Sequence, residues 1–184
     1  MNLAAKRSMT VDEFYDWCER QPGGRYELYA GEVVAMSPER VAHVRLKQRL
    51  WRLLTDAIRD AGLACEALGD GVAVRIDERT SFEPDALVHC GPDLPGDAVE
   101  APEPLVVVEV ISPSSRGVDT GAKLNGYFQV PSLRHYLIVD GGRGALIHHA
   151  REEGGDIRTR IHKGGTLRLD PPGIGLNVAA VLGA

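Results

Sequence analysis

Apolar and polar positions along the chain follow two periods, and the switches between them mark the elements. Thr10-Val11-Asp12-Glu13 pairs a threonine N-cap with a glutamate three positions on, the capping-box spacing, so a short helix is expected to about Arg20. Gln21-Pro22-Gly23-Gly24 ends it. The segments 25–28 and 32–36 flank Tyr29-Ala30-Gly31 and read as a β-hairpin. Ser37-Pro38 predicts an N-cap followed by proline at the first helical position of a long helix to about Ala61. In that helix Leu46, Leu50, Leu53, Leu54, Ala57 and Ala61 recur at three- and four-residue steps and form a core stripe. Arg45, Arg49, Arg52 and Arg59 share another face. That face reads either as a solvated helix surface or as a stripe facing phosphates. After Gly62 strands are expected at about 63–68, 72–76, 82–88, 105–111, 135–139, 145–150, 157–162 and 166–169, with one further helix at about 119–128 before Pro131. The sum is α/β or α+β, a central mixed sheet flanked by helices in one domain over 1–184, with 1–8 flexible.

Composition narrows the class. The 184 residues carry a formal charge of −5, so no global basic field draws the chain to nucleic acid or to a membrane. Cys18, Cys65 and Cys90 are odd in number and widely spaced, which argues against a disulfide scaffold or structural zinc; buried free thiols are expected, with a Cys65–Cys90 bridge the alternative. The N-terminus lacks the apolar core of a signal peptide, and no run of about 18 apolar residues exists to span a bilayer. A cytoplasmic protein is expected. The loop between Cys90 and Pro104 holds Pro92, Pro95, Pro102 and Pro104, and loops of that length often serve function.

The chemistry concentrates in two segments. Leu105-Val106-Val107-Val108-Glu109-Val110-Ile111 is a β-branched run typical of a strand buried on both faces, and a carboxylate inside it must be paired, metal-bound or neutralised. Glu109 lies near the C-terminal end of this strand, where open α/β sheets place ligands. In Phe82-Glu83-Pro84-Asp85-Ala86-Leu87-Val88, Pro84 cannot donate to a sheet ladder and Asp85 follows it directly. Two carboxylates about 4 Å apart repel by roughly 4 kcal/mol at an effective dielectric of 20. Bound Mg²⁺ or Mn²⁺ would turn that repulsion into ligation. Neither segment calls for an organic cofactor.

A Pro-Asp opening one strand and Glu-Val-Ile-Ser on the next resemble the PD-(D/E)XK nuclease superfamily. The chain is more closely similar to the Uma2-type restriction-endonuclease family. The landmarks are Tyr26-Glu27-Leu28-Tyr29-Ala30-Gly31-Glu32, Pro84-Asp85, Val107 through Ser115, Asp119 through Lys123 to Tyr127, and His135-Tyr136-Leu137-Ile138-Val139-Asp140. The resemblance runs from Met9 to the C-terminus. It implies a restriction-endonuclease-like fold in which Asp85 and Glu109 hold the metal, the Val110 carbonyl can add a ligand, and Glu27 approaches the same site. One departure is plain: the lysine expected two residues after the glutamate is Ile111. Lys123, on the helix just beyond the strand, is the candidate replacement, with a surface lysine as the alternative. Tyr127, one turn later on the same face, would help position it or simply pack against the sheet.

The implied activity is that of a metal-dependent endonuclease hydrolysing phosphodiester bonds in DNA, for which a homodimer suits cleavage of both strands. Two readings compete: a non-catalytic module that keeps the fold and binds nucleic acid or protein, and a hydrolase of a small phosphoester. His43, at the start of the long helix, is a candidate phosphate contact or proton shuttle beside Arg45, Arg49 and Arg52. His148, His149 and His162 suggest a transition-metal cluster, but neighbouring histidines on a strand point to opposite faces. Gly141-Gly142-Arg143-Gly144 reads as a hairpin turn, and Ser112-Pro113-Ser114-Ser115 lacks the pattern of a serine hydrolase elbow.

Overall fold

The Thr10 cap forms as its spacing dictates: its hydroxyl accepts the Glu13 N–H at 3.3 Å while the Glu13 carboxylate accepts the Thr10 N–H at 3.0 Å. It opens α1 (Val11–Glu19). The hairpin follows as β1 (Tyr26–Tyr29) and β2 (Glu32–Ala35). Its two-residue turn places Ala30 and Gly31 at φ 49° and 82°, the positive angles that a hairpin turn matched to strand twist requires. A Cβ at Gly31 would meet the Ser8 hydroxyl, so that position is closed to larger residues. This computed structural model describes residues 8–111 and 120–183. The flexible segment expected at 1–8 falls outside them except for Ser8, as do Ser112-Pro113-Ser114-Ser115 and Asp119.

The long helix α2 (Val41–Asp60) starts later than Ser37-Pro38 suggests. The Met36 N–H still pairs with the Arg25 carbonyl, and Glu39 is bound by Arg25 and Lys47. The chain is thereby held extended through Arg40, which becomes the N-cap. The expected strand over 82–88 is two strands. In chain order come β3 (Cys65–Gly69), β4 (Val74–Asp77), β5 (Thr80–Phe82), β6 (Ala86–Cys90) and β7 (Pro104–Val110). Pro84 falls in the break between β5 and β6, where the chain leaves one sheet for another. After α3 (Thr120–Tyr127) come β8 (His135–Asp140), β9 (Ala145–Arg151), β10 (Ile157–His162) and β11 (Thr166–Leu169). Last are β12 (Ile174–Asn177) and the short α4 (Val178–Leu182), neither of which the sequence pattern signalled.

Six strands form the central sheet in the order β10-β9-β8-β7-β6-β3, and β2-β1-β5-β4 form a second sheet. The central sheet is mixed because β7 and β8 are parallel while its other pairs are antiparallel. Side chains of β7 alternate between its faces. Val106, Val108 and Val110 join Leu46, Leu50, Leu54 and Ile58 of α2 on one side; Val107 joins Tyr127, Phe82 and Tyr136 on the other. Gly126 lets α3 close on this second face, since a Cβ there would lie 2.7 Å from the Phe82 ring.

The expectation of free thiols at Cys65 and Cys90 is corrected: the two form a disulfide. The β3–β6 register sets them directly opposite, with Cα atoms 4.1 Å apart, within bonding reach of one another. Cys18 remains free. Among the described residues no helix is long and apolar enough to cross a membrane.

Candidate active site

The register of β6 on β7 decides where the two acids go. Ala86 pairs with Val108, and the Asp85 N–H donates to the Val108 carbonyl at 2.9 Å. One step further along both strands, Asp85 therefore sits beside Glu109. Asp85 does not extend the ladder as an ordinary strand residue. Its Oδ2 accepts the Val110 N–H at 2.6 Å, which turns the side chain across the end of β7. Val110 thus contributes its backbone N–H to the site.

On the α3 side of the sheet, Glu109 meets a cation and a phenol. Lys123 Nζ lies 3.0 Å from Glu109 Oε1 and 2.9 Å from Glu27 Oε1, and the Tyr127 hydroxyl donates to Glu109 Oε1 at 2.7 Å. Lys123 and Tyr127 are four residues apart and so share one helical face. Glu27 Oε1 also accepts the Glu83 N–H at 2.9 Å, tying the hairpin to the segment that delivers Asp85. Lys123 thus approaches Glu109 from α3, while Ile111, at the position where the superfamily's lysine is expected, packs among the apolar residues beneath that helix.

On the α2 side the sequence reading missed a residue. Lys47 is 4% exposed, with Nζ 2.9 Å from Asp85 Oδ1 and 2.6 Å from both Glu39 Oε1 and Asp70 Oδ2. The signal was there. At about 100° per residue Lys47 falls inside the arc of Leu46, Leu50, Leu54 and Ile58, where an unpaired lysine would not be tolerated. One turn earlier, His43 Nε2 lies 3.7 Å from Asp85 Oδ2. Glu39, His43 and Asp85 each offer a ligand atom within 4.8 Å of the others, a set able to hold a metal ion. Arg25 braces the outer rim by pairing with Glu39, Asp70 and Glu83.

These contacts set the charge states. Burial lifts the Glu109 carboxyl strongly; Lys123 opposes the shift, the Asp85 and Glu27 charges reinforce it, and the group is pushed up to about 7. Burial also acts on Asp85, yet His43, the Lys47 charge and the Val110 N–H hold it below its ordinary value. Burial alone would lower Lys47 and Lys123, but their carboxylate partners raise both, so both stay protonated. Burial, with the Glu109 charge, raises Tyr127, which remains a neutral donor. The site is therefore a strip of carboxylates across the end of β7, with one ammonium inserted from each flanking helix.

Other candidates lie elsewhere. Arg45, Arg49 and Arg52 point to roughly the opposite side of α2 from His43 and Lys47 at about 100° per residue. Arg49 reaches the C-terminal end of α4, where a Cβ on Gly183 would strike its guanidinium. The proline-rich loop packs its Glu100 on Tyr15 and Arg75. His149 bonds to the Thr159 hydroxyl at 2.8 Å on the face opposite His148, as strand alternation requires. Residues 141–144 form the turn of the β8–β9 hairpin, with the Arg143 N–H on Asp140.

Comparison with known proteins agrees with this architecture. The sequence matches the Uma2 family, described as "Putative restriction endonuclease", over residues 11–180. It is 28% identical over 172 residues to the uncharacterized protein slr1290 of Synechocystis, covering 93% of this chain and 88% of that one. It is 29% identical over 143 residues to the uncharacterized protein sll1609 of the same organism, covering 76% and 79%. Its fold is similar to the crystal structure of a "putative nuclease belonging to DUF820" from Anabaena variabilis, with a TM-score of 0.74 over 95% of this chain and 98% of that one. At 12% identity that likeness speaks to the fold alone.

Proposed function

The chain belongs to the Uma2 restriction-endonuclease family, and from that footing we propose that it is a divalent-metal-dependent endonuclease that hydrolyses phosphodiester bonds in DNA. One observation carries the reading: the β6–β7 register brings Asp85 opposite Glu109, close enough for the Asp85 charge to act on it, with Lys123 bridging Glu109 and Glu27. Carboxylate oxygens joined by one imidazole make a hard donor set that suits Mg²⁺ or Mn²⁺. Asp85 and Glu109 would hold the ion, with Glu27, His43, Glu39 and the Val110 carbonyl as the surrounding candidates. When bound, the metal supplies Lewis acidity toward a phosphoryl oxygen and acidifies water.

The remaining work falls to the chain. Lys123 is cationic and anchored by two carboxylates, so it can orient an attacking water and stabilise charge growing on the phosphoryl oxygens without reorganising. Tyr127 fixes the Glu109 carboxyl through its hydroxyl. Lys47 and His43 hold Asp85 ionised and ready to ligate. A two-fold dimer in the cytoplasm would present two such sites to the two strands of a duplex.

Supercoiled plasmid incubated with Mg²⁺ or Mn²⁺ should be nicked by the wild type, and Lys123→Ala or Asp85→Asn should lower the rate by about 100-fold or more. Calorimetric titration with Mg²⁺ should show binding that Asp85→Asn abolishes. Wild type that retards plasmid on a gel without nicking it would establish a binding module instead. Hydrolysis of a nucleotide phosphoester in place of plasmid would establish the small-substrate reading.

A further inference from the structure

At the end of the central sheet away from Glu109, a cavity of about 670 Å³ opens over β8, β9, β10 and β11. Its position follows from the parallel register: Val106 pairs with His135 and Glu109 with Ile138, so the start of β8 lies at the opposite end of the strand pair from the acids. Five arginines line it, at 134, 151, 158, 160 and 168, against three carboxylates, at 152, 153 and 170. This basic concavity sits on a chain whose overall charge is −5. Arg151 is spent on the carbonyls of Phe128, Val130 and Leu133; Arg158 pairs with Glu152 at 2.9 Å and Arg168 with Asp170 at 3.8 Å. Arg134 and Arg160 have no carboxylate partner among the described residues.

An imidazole adds a second, independent sign. His162 lines the cavity, and among the described residues its buried Nε2 has no hydrogen-bond partner, a state that proteins seldom leave uncompensated. Its neighbours are satisfied: His135 Nε2 bonds to the Pro171 carbonyl and His135 Nδ1 to His148 Nε2, both at 2.9 Å. Because His135 Nδ1 and His148 Nε2 are bonded to each other, those two atoms are not open to a metal ion. Burial keeps both neutral, so the cavity attracts through its guanidiniums.

We infer that this cavity is a second binding site for a phosphate ester, either a nucleotide or the backbone of a nucleic-acid strand, held by Arg134 and Arg160 with His162 Nε2 as an additional partner. Guanidinium forks match phosphate oxygens bidentately, and the volume is that of ordinary small-ligand sites. The inference does not depend on the nuclease reading.

Calorimetry on the full chain in EDTA, which silences any metal centre, tests it with adenosine 5′-monophosphate and adenosine. The nucleotide should bind saturably and adenosine at least about tenfold more weakly, the difference expected of one charge-assisted contact. Arg134→Gln with Arg160→Gln should weaken the nucleotide by about tenfold or more while the circular dichroism spectrum stays unchanged. Asp85→Asn should leave this binding intact, which separates it from the acidic site. Equal binding of adenosine, an unaltered affinity in the double variant, or no saturable heat would overturn the assignment. A single-stranded oligonucleotide that displaces the nucleotide would identify strand backbone as the source of the phosphate; failure to displace it would identify the free nucleotide.

Discussion

Glu109 is a carboxyl whose folded state favours the proton, and that has a measurable sign. Its ordinary value of 4.5 rises to about 7 on folding. Between those limits the native state binds a proton that the unfolded chain has released, so unfolding free energy falls as pH rises from about 4.5 to about 7 and levels off above. Asp85 works the other way: its folded value lies below 3.8, so the stability it contributes is present above 3.8 and is lost as pH falls toward the folded value. The two windows do not overlap. Urea unfolding at a series of pH values should therefore show a decline between pH 4.5 and 7 that Glu109→Gln flattens, while the acid-side loss persists. An unchanged slope in that variant would remove Glu109 as its source. Lys47 offers a second test at this scale. Its ammonium sits among Asp85, Glu39 and Asp70, where it competes electrostatically with any incoming cation. Lys47→Met should tighten Mg²⁺ binding by about tenfold or more, since removing one positive charge about 4 Å from the site is worth a few kcal/mol at an effective dielectric of 20. Weaker Mg²⁺ binding would mean that Lys47 holds the ligands in place rather than opposing the ion.

At the level of elements, what positions the Lys123 amine is the approach of α3 to the sheet. Gly126 permits it, since a Cβ would press to 2.7 Å from a Phe82 ring that is itself packed edge-on against Tyr127. Gly126→Ala should cost about 1–3 kcal/mol of stability by overpacking, read as a lower urea midpoint. It should also depress nicking well below what the unfolded fraction explains, because Lys123 and Tyr127 move with the helix. Activity that tracks the folded fraction alone would show that α3 tolerates the shift. The acids were legible in the sequence because each breaks a local rule: Glu109 interrupts a run of buried valines, and Asp85 follows a proline that no central strand can accommodate. Lys123 was legible only through the family resemblance, since nothing local distinguishes it from a surface lysine. Lys47 escapes the sequence pattern because the leucine and alanine stripe of α2 stops short of it, and only Ile58 extends the buried arc around the lysine. The start of α2 and the break in 82–88 depart from the sequence pattern for a shared reason: long-range contacts from Arg25 and the change of sheet override the local signals of Ser37-Pro38 and of a continuous apolar run. The Cys65–Cys90 bridge depends on a strand register that spacing cannot reveal.

For the molecule as a whole, the question is how a chain of charge −5 would engage the polyanion proposed as its substrate. Binding to DNA is driven largely by counterion release, with a slope of log K against log salt of about −0.9 per phosphate neutralised on a duplex. A protein with no global basic field would therefore rely on a few local contacts, on a bound cation, or on both. The arginine face of α2 is the obvious sequence candidate for such contacts, but the helix turns Arg45, Arg49 and Arg52 to the side away from Asp85, and Arg49 is engaged at the end of α4. If those three side chains met phosphates in the productive complex, replacing all three with glutamine would flatten the slope by about 2.7 units. The fold argues for a much smaller change. Fluorescence anisotropy with a labelled duplex, titrated across salt in the presence of Ca²⁺ to hold the metal site filled without turnover, should give nearly the same slope for the triple variant and the wild type, and plasmid nicking by the variant should stay within about twofold. Loss of the full 2.7 units would place the duplex along the outer face of α2. The substrate path would then have to wrap around that helix to reach Glu109, instead of crossing the end of β7 where the carboxylates and the two ammonium groups already converge.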